Sequence, residues 1–401
     1  MKRHDAALPP PALQGGELAI VLTGGGARAA YQVGVLRCLG RHRPELRFPI
    51  VTGVSAGGIN AAFLAADRGS LHDAAERLHA LWTAITVEDV FKVDVPSLGK
   101  NLARWGTRLV SGGLRGAPRV RGLVDSSPLR RLLRRELGTV DGEIPGIADN
   151  LGRGHLKAVA LTTLSYSTGQ TITWVEGRGI QTWDRPNRRA VSARLSVDHV
   201  MASAALPILF PAVRIGRHWY GDGGVRLSAP LSPALHLGAR RLLTLSTRYQ
   251  RTMAEADRPQ IDGYPPPAQI LGHLLNAVFL DVIDEDVRRV ERLDELIAAL
   301  PPERRQGMEH VDLLVLRPSA DLGRLAADYE PRLPRAFRFL TRGLGTQETR
   351  SPDFLSILMF QEDYLKRLLE LGERDADERR DELLAFVDAS AAAPLRRGEV
   401  G

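Results

Sequence analysis

The chain predicts an α/β fold, a three-layer α/β/α sandwich around a mostly parallel sheet, on three observations. Two apolar runs, residues 18–22 and 50–53, each pass through a small-residue turn into a stretch with apolar residues at helical spacing, 29–39 and 56–66. Strand, loop and helix twice in succession imply parallel strands joined by right-handed crossovers, so that both loops open at the carboxyl edge of the sheet. Strand-like runs then recur at residues 157–163, 170–175 and 241–245, residues 219–220 lead into a turn, and 310–316 reads as a last strand.

Between and around these strands the pattern changes. Residues 1–16 contain Pro9-Pro10-Pro11 and a Gly-Gly pair but no apolar run of the length a signal peptide needs, and they read as a flexible segment unmarked for export. Residues 17–320 read as the α/β domain. Within them, residues 70–140 are mainly helical in pattern, interrupted at Gly112 and Gly113, and read as an insertion. Residues 321–401 form a helical extension, clearest over 356–371, and the charged run 373–382 reads as a solvated helix face. A length of 401 residues admits two domains, yet the motifs below run from Gly24 to Asp222 and must meet in one site, which favours one large domain.

Composition narrows the function classes. A hydrophobic share of 44% supplies a sizeable core, and a charged share of 25% is ordinary. The net charge of +7 is local: Lys100, Arg104, Arg108, Arg115, Arg119 and Arg121 occur with no acid among them, leaving about +1 elsewhere. A generally basic, nucleic-acid-binding surface is therefore not expected. If residues 100–110 are helical, Leu102, Trp105 and Leu109 share a face flanked by Arg104 and Arg108, a pattern suited to an anionic bilayer. The same pattern serves a helix docked on the core with its arginines in solvent, and that reading is favoured. The longest apolar stretch, 200–213, contains Pro207 and Pro211 and cannot be an ordinary spanning helix. Cys38 is the only cysteine, which excludes an internal disulfide. A soluble or peripherally attached protein of the reducing cytoplasm is expected.

Three motifs carry the chemistry. Gly53-Val54-Ser55-Ala56-Gly57 has the G-x-S-x-G spacing of a nucleophile elbow, in which glycines two residues either side of the serine clear space in a tight strand-to-helix turn. A serine hydroxyl is a weak nucleophile at neutral pH and needs a base within reach and donors for the oxygen that becomes negative. Gly24-Gly25-Gly26-Ala27-Arg28 offers consecutive N–H groups at a helix start, a natural anion site. Asp222, inside Gly221-Asp222-Gly223-Gly224, is the candidate base, although an ordinary carboxylate with a pKa of about 3.9 needs desolvation to serve. Plainer readings exist for each: Ser55 as the N-cap of the following helix, Asp222 as part of a common Asp-Gly turn, Arg28 as a surface arginine.

At these residues the chain resembles the patatin-like phospholipases, lipid acyl hydrolases that pair a G-x-S-x-G serine with a distant aspartate. The resemblance covers roughly residues 17–318. The G-G-G-x-R-G loop reads Gly24, Gly25, Gly26, Ala27, Arg28, Ala29, with alanine where the family has its last glycine, and the D-G-G box is Asp222, Gly223, Gly224. The block Ala202-Ser203-Ala204-Ala205-Leu206-Pro207 also matches. The resemblance implies hydrolysis of carboxylic esters in acyl lipids, most of all phospholipids, through an acyl-enzyme. Ser55 is then the nucleophile, Asp222 the base, and Gly24, Gly25, Gly26 and Arg28 the oxyanion loop, which Arg28 is expected to brace by hydrogen bonds, with Gly53 and Gly57 shaping the elbow. No cofactor is implied.

Competing readings leave their own marks. A Ser-Asp-His triad in the usual chain order would draw on His236, His273 or His310, none of which reads as a loop-borne base. Gly24-x-Gly26-x-x-Ala29 also satisfies a dinucleotide fingerprint, but the next strand ends in Thr52-Gly53 rather than in the acid that would hold a ribose. No cluster of His and acids at metal-ligand spacing is apparent. A lipid-binding or scaffold protein that keeps the fold without turnover is the remaining class.

Overall fold

The computed structural model describes residues 17–92, 122–261, 263–305 and 307–389. The basic segment 100–121, with the membrane contact proposed for it, and Gly112 and Gly113 lie outside the described residues.

Strand β1 (Glu17–Leu22) is buried along nearly its whole length, and its side chains alternate between two apolar layers. Leu18, Ile20 and Leu22 face the larger layer with helices α1 (Ala30–His42) and α2 (Ser55–Ala66), while Ala19 and Val21 face Leu231, Ala234, Ile283 and Val287. A sheet with helices on both faces follows, the three-layer arrangement the sequence predicts.

Five strands run parallel in the order β10–β9–β1–β2–β3: β2 is Ile50–Val54, β3 Ala158–Ser165, β9 Ala239–Leu245 and β10 Asp312–Leu316. Beyond β3 come β4 (Thr171–Gly177), antiparallel to it, then β6 (Arg188–Ser192) and the two-residue β5 (Asp184–Arg185). β7 (Val213–Ile215) and β8 (His218–Asp222) form a hairpin whose second strand pairs antiparallel with the end of β3. The sheet is thus mixed but mostly parallel.

One register decides the position of the site. β2 lies along the first part of β3 and ends where Val54 pairs with Thr162; β8 takes over the same edge of β3, with Asp222 paired to Thr163. The carboxyl ends of β2 and β8 therefore meet head to head at the Thr162–Thr163 peptide, bringing the residue after Val54 to Asp222.

The helical expectations need two corrections. Residues 356–371 are not one helix: Asp353–Leu358 and Glu362–Glu378 are separated at Met359, whose ψ of 68 leaves the helical range. The run 373–382 is not wholly a solvated face, because Glu373 pairs with Arg37 and Arg41 of α1 at 2.7 Å each, and buried Asp375 accepts from the N–H and hydroxyl of Ser319. Helix Glu362–Glu378 packs along α1, covering the side that α1 turns away from the sheet. No described helix is long and apolar enough to cross a membrane.

Candidate active site

Ser55 starts α2 immediately after β2 and is held at φ 57, the left-handed region that costs a non-glycine residue roughly 1–2 kcal/mol. Such strain persists only where the surroundings over-determine it, and here they do. The Ser55 N–H donates to Ser203 Oγ at 3.0 Å, and that hydroxyl donates in turn to the Thr162 carbonyl at 2.8 Å. On the other side α2 presses against β1: a Cβ on Gly57 would overlap the carbonyl oxygens of Leu22 and Thr23, and one on Gly53 would strike the backbone of α2. Both glycines thus stand where backbone approaches closely.

Asp222 is fully buried. Its Oδ1 accepts from the Gly224 N–H at 2.8 Å, while Oδ2 is buried with no hydrogen-bond partner. Burial pushes the carboxyl up from 3.8 to about 7, against smaller downward pulls from the Ser55 hydroxyl and the Gly224 N–H. The Ser55 hydroxyl is thus a neighbour of this carboxyl, while Oδ2 makes no hydrogen bond. Catalytic hydrogen bonds are often long or misaligned before substrate binds.

The glycine loop lies over the elbow. A Cβ on Gly24 would touch that of Ser55. Gly25 and Gly26 have φ 150 and 58, and among the described residues no acceptor takes either N–H. The loop is strapped from below: Gln32 Nε2 donates to the carbonyls of Thr23 (2.8 Å) and Leu245 (3.0 Å), Asn60 Nδ2 donates to Gln32 Oε1 (3.0 Å), and Trp82 Nε1 to Asn60 Oδ1 (2.8 Å). Ala29, alanine in place of the family's glycine, sits at φ −66 in ordinary helical geometry, so its Cβ costs nothing. Arg28 is not a surface residue. It is 3% exposed and its guanidinium turns to Asp353 and Ser356, so it braces the loop rather than lying at Ser55.

A narrow cavity of about 50 Å³ opens from Ser55 and Gly26 between apolar walls, among them Ile59, Leu81, Trp82, Leu132, Phe210 and Phe360. A larger hollow of about 910 Å³ beside Arg68 and Arg135 shares Leu81, Ile85 and Leu132 with this cavity, but neither Ser55 nor Asp222 lines it.

The histidines lie elsewhere. His236 Nδ1 meets the Ser232 carbonyl at 2.8 Å and its ring packs on Trp183; His273 contacts Gln269; His310 pairs with Asp294 and Asp312. None is a polar neighbour of Asp222. His199, which burial pushes down from 6.5 to about 4, is occupied with Ser196 and the Trp174 ring. Contrary to the sequence expectation, one group does have metal-ligand spacing among the described residues. The donor atoms of Cys38, His42 and Asp377 lie within 4.8 Å of one another, although Asp377 is already paired with Arg380. The group includes neither Ser55 nor Asp222.

One residue that sequence reasoning missed is Ser203. Its only signal was its place in the small-residue block before Pro207; its link between the Ser55 amide and β3 exists only in three dimensions.

Among solved structures the chain is similar to human GIVD cytosolic phospholipase A2 (13% identity, TM-score 0.42), over 93% of this chain and 60% of that chain. It is also similar to VipD from Legionella pneumophila (12%, 0.30, covering 90% and 67%) and to ExoU of the Pseudomonas aeruginosa type III secretion system (18%, 0.26, covering 92% and 79%). The chain spans only about 60% of the human chain. No curated protein sequence matches. The family model described as patatin-like phospholipase matches residues 20–235, more than half of the 401 residues, and the chain belongs to that family.

Proposed function

We propose that the chain is a serine acyl hydrolase that cleaves carboxylic ester bonds of phospholipids or related acyl lipids. One observation supports this reading: Ser55, strained in its elbow and lining an apolar cavity, follows the strand end that abuts Asp222, a fully buried carboxylate with an unpartnered oxygen. The mainly apolar side chains of the cavity walls match the chemistry of an acyl chain. A carboxyl raised to about 7 is near the optimum for a general base at neutral pH.

In the proposed cycle Asp222 takes the hydroxyl proton as Ser55 Oγ attacks the ester carbonyl, and the tetrahedral oxyanion accepts from the N–H groups of Gly25 and Gly26. Collapse breaks the bond to the alcohol, which leaves with the proton from Asp222. Water, deprotonated by the same carboxylate, then releases the fatty acid and restores Ser55. The protein's part is positioning and preorganised donors, which supply most of such an acceleration.

An alkyl fluorophosphonate tests the reading, because only an activated serine reacts with it. Stoichiometric labelling at Ser55, with release of fatty acid from phosphatidylcholine or phosphatidylglycerol vesicles, is expected; an unlabelled, folded protein would instead be a lipid-binding scaffold. The base must be ionised, so the labelling rate should rise with pH, reach half its plateau near pH 7 and level off above it. A rate independent of pH from 5 to 9 would remove Asp222 as the base. Alanine at His236, His273 or His310 should change turnover less than about threefold, since none approaches the carboxylate. A dead variant among them would mean a triad.

A further inference from the structure

The family model ends at residue 235, yet two of the groups that hold the glycine loop come from far beyond it. Arg28 Nε donates to Ser356 Oγ at 2.7 Å, and its terminal nitrogen reaches Asp353 Oδ1 at 2.5 Å and the Asp353 carbonyl at 3.3 Å. The side chains of this ion pair are only 4% and 11% exposed. Asp353 Oδ2 accepts from Asn276 Nδ2 at 2.7 Å, and Ser356 Oγ donates to the Asp353 carbonyl at 2.7 Å. Each carboxylate oxygen and the hydroxyl are therefore committed, which leaves the guanidinium one position.

Backbone contact tightens the same junction. A Cβ on Gly26 would overlap the Ile357 carbonyl oxygen, so the loop rests directly on the helix Asp353–Leu358. Opposite it, a Cβ on Gly25 would overlap Thr247, whose hydroxyl donates to the Gly24 carbonyl. The loop is gripped between Thr247 and Ile357 and anchored at Arg28. Ile357, Leu358 and Phe360 from the same segment also wall the cavity that starts at Ser55.

We propose that Asp353, with Ser356, is a positioning residue for the oxyanion donors: it fixes Arg28, Arg28 fixes the loop, and the loop aims the Gly25 and Gly26 N–H groups. This inference rests on the acyl-hydrolase reading above. The physical reason is that donors stabilise a developing oxyanion only if they are already in place, and a shift of about 1 Å costs on the order of 10²-fold in rate. Substrate affinity comes from the apolar walls and should be spared.

The experiment is active-site-titrated kinetics of fluorophosphonate labelling on full-length Asp353→Asn and Ser356→Ala. The maximal labelling rate constant should fall roughly 30–100-fold in the first and roughly 3–10-fold in the second, with the half-saturating probe concentration unchanged within about twofold. Breaking a buried ion pair is strongly destabilising, so Asp353→Asn is assayed at low temperature; Ser356→Ala removes the two bonds of one hydroxyl without breaking the ion pair and decides the matter if Asp353→Asn does not fold. In the Arg28→Lys background, Asp353→Asn should add less than threefold, because both changes break one unit. A lowered melting temperature with an unchanged labelling rate constant overturns the proposal and leaves the pair purely structural. A wild-type protein that does not label at all would sink the acyl-hydrolase reading instead.

Discussion

Replacing Ser55 by alanine should lower ester turnover by about 10⁴-fold or more, roughly 5 kcal/mol of transition-state stabilisation, and leave the melting temperature nearly unchanged. The two halves of this expectation have separate causes. The hydroxyl is the group that forms the acyl-enzyme, and no neighbouring side chain replaces it: Ser203 Oγ is committed to the Ser55 amide and the Thr162 carbonyl. Alanine keeps the Cβ, the φ of 57 and the N–H bond to Ser203, so the elbow strain is the same before and after. Turnover of phospholipid vesicles and a thermal melt on the same sample check both. A loss below about tenfold would eliminate Ser55 as nucleophile, and a collapsed melt would make the kinetic result uninformative, in which case Ser55→Cys, close in size, takes its place.

The sequence exposed what is local and hid what is not. The elbow was legible because Gly53, Ser55 and Gly57 act within one strand-to-helix turn, and the glycine loop because three successive glycines before a helix have few other uses. The way Asp222 reaches Ser55 was not legible. It depends on β8 taking over the edge of β3 where β2 stops, a pairing between residues about sixty positions apart that no periodicity records. Arg28 is the sharper case. Nothing near it in sequence announces a partner, and its carboxylate lies 325 positions away in a region read only as a helical extension. The break at Met359 has the same origin. Apolar spacing runs unbroken through 356–371 with no glycine or proline to mark a stop, and tertiary demands on Ile357, Met359 and Phe360, all buried, interrupt the helix.

Asp222→Asn should abolish activity while making the protein more stable at neutral pH, a pairing that a merely structural aspartate would not produce. Asparagine keeps an oxygen for the Gly224 N–H but cannot accept a proton, so turnover should fall by about 10³–10⁴. The stability half follows from linkage. Burial holds the folded carboxyl near 7 against 3.8 for the free group, so between those values the folded state keeps a proton that the unfolded state releases. Stability is therefore lost as pH rises through that window, by about 1.4 kcal/mol per unit and on the order of 4 kcal/mol once the pH exceeds 7. Asparagine, always neutral, avoids the loss. Urea melts should show the advantage of the variant widening by about 3 kcal/mol between pH 5 and pH 8. A variant equally stable or less stable at pH 8 would mean that the Asp222 carboxylate is not held at an energetic cost, and that its unpartnered oxygen is not the reserve of basicity the cycle requires.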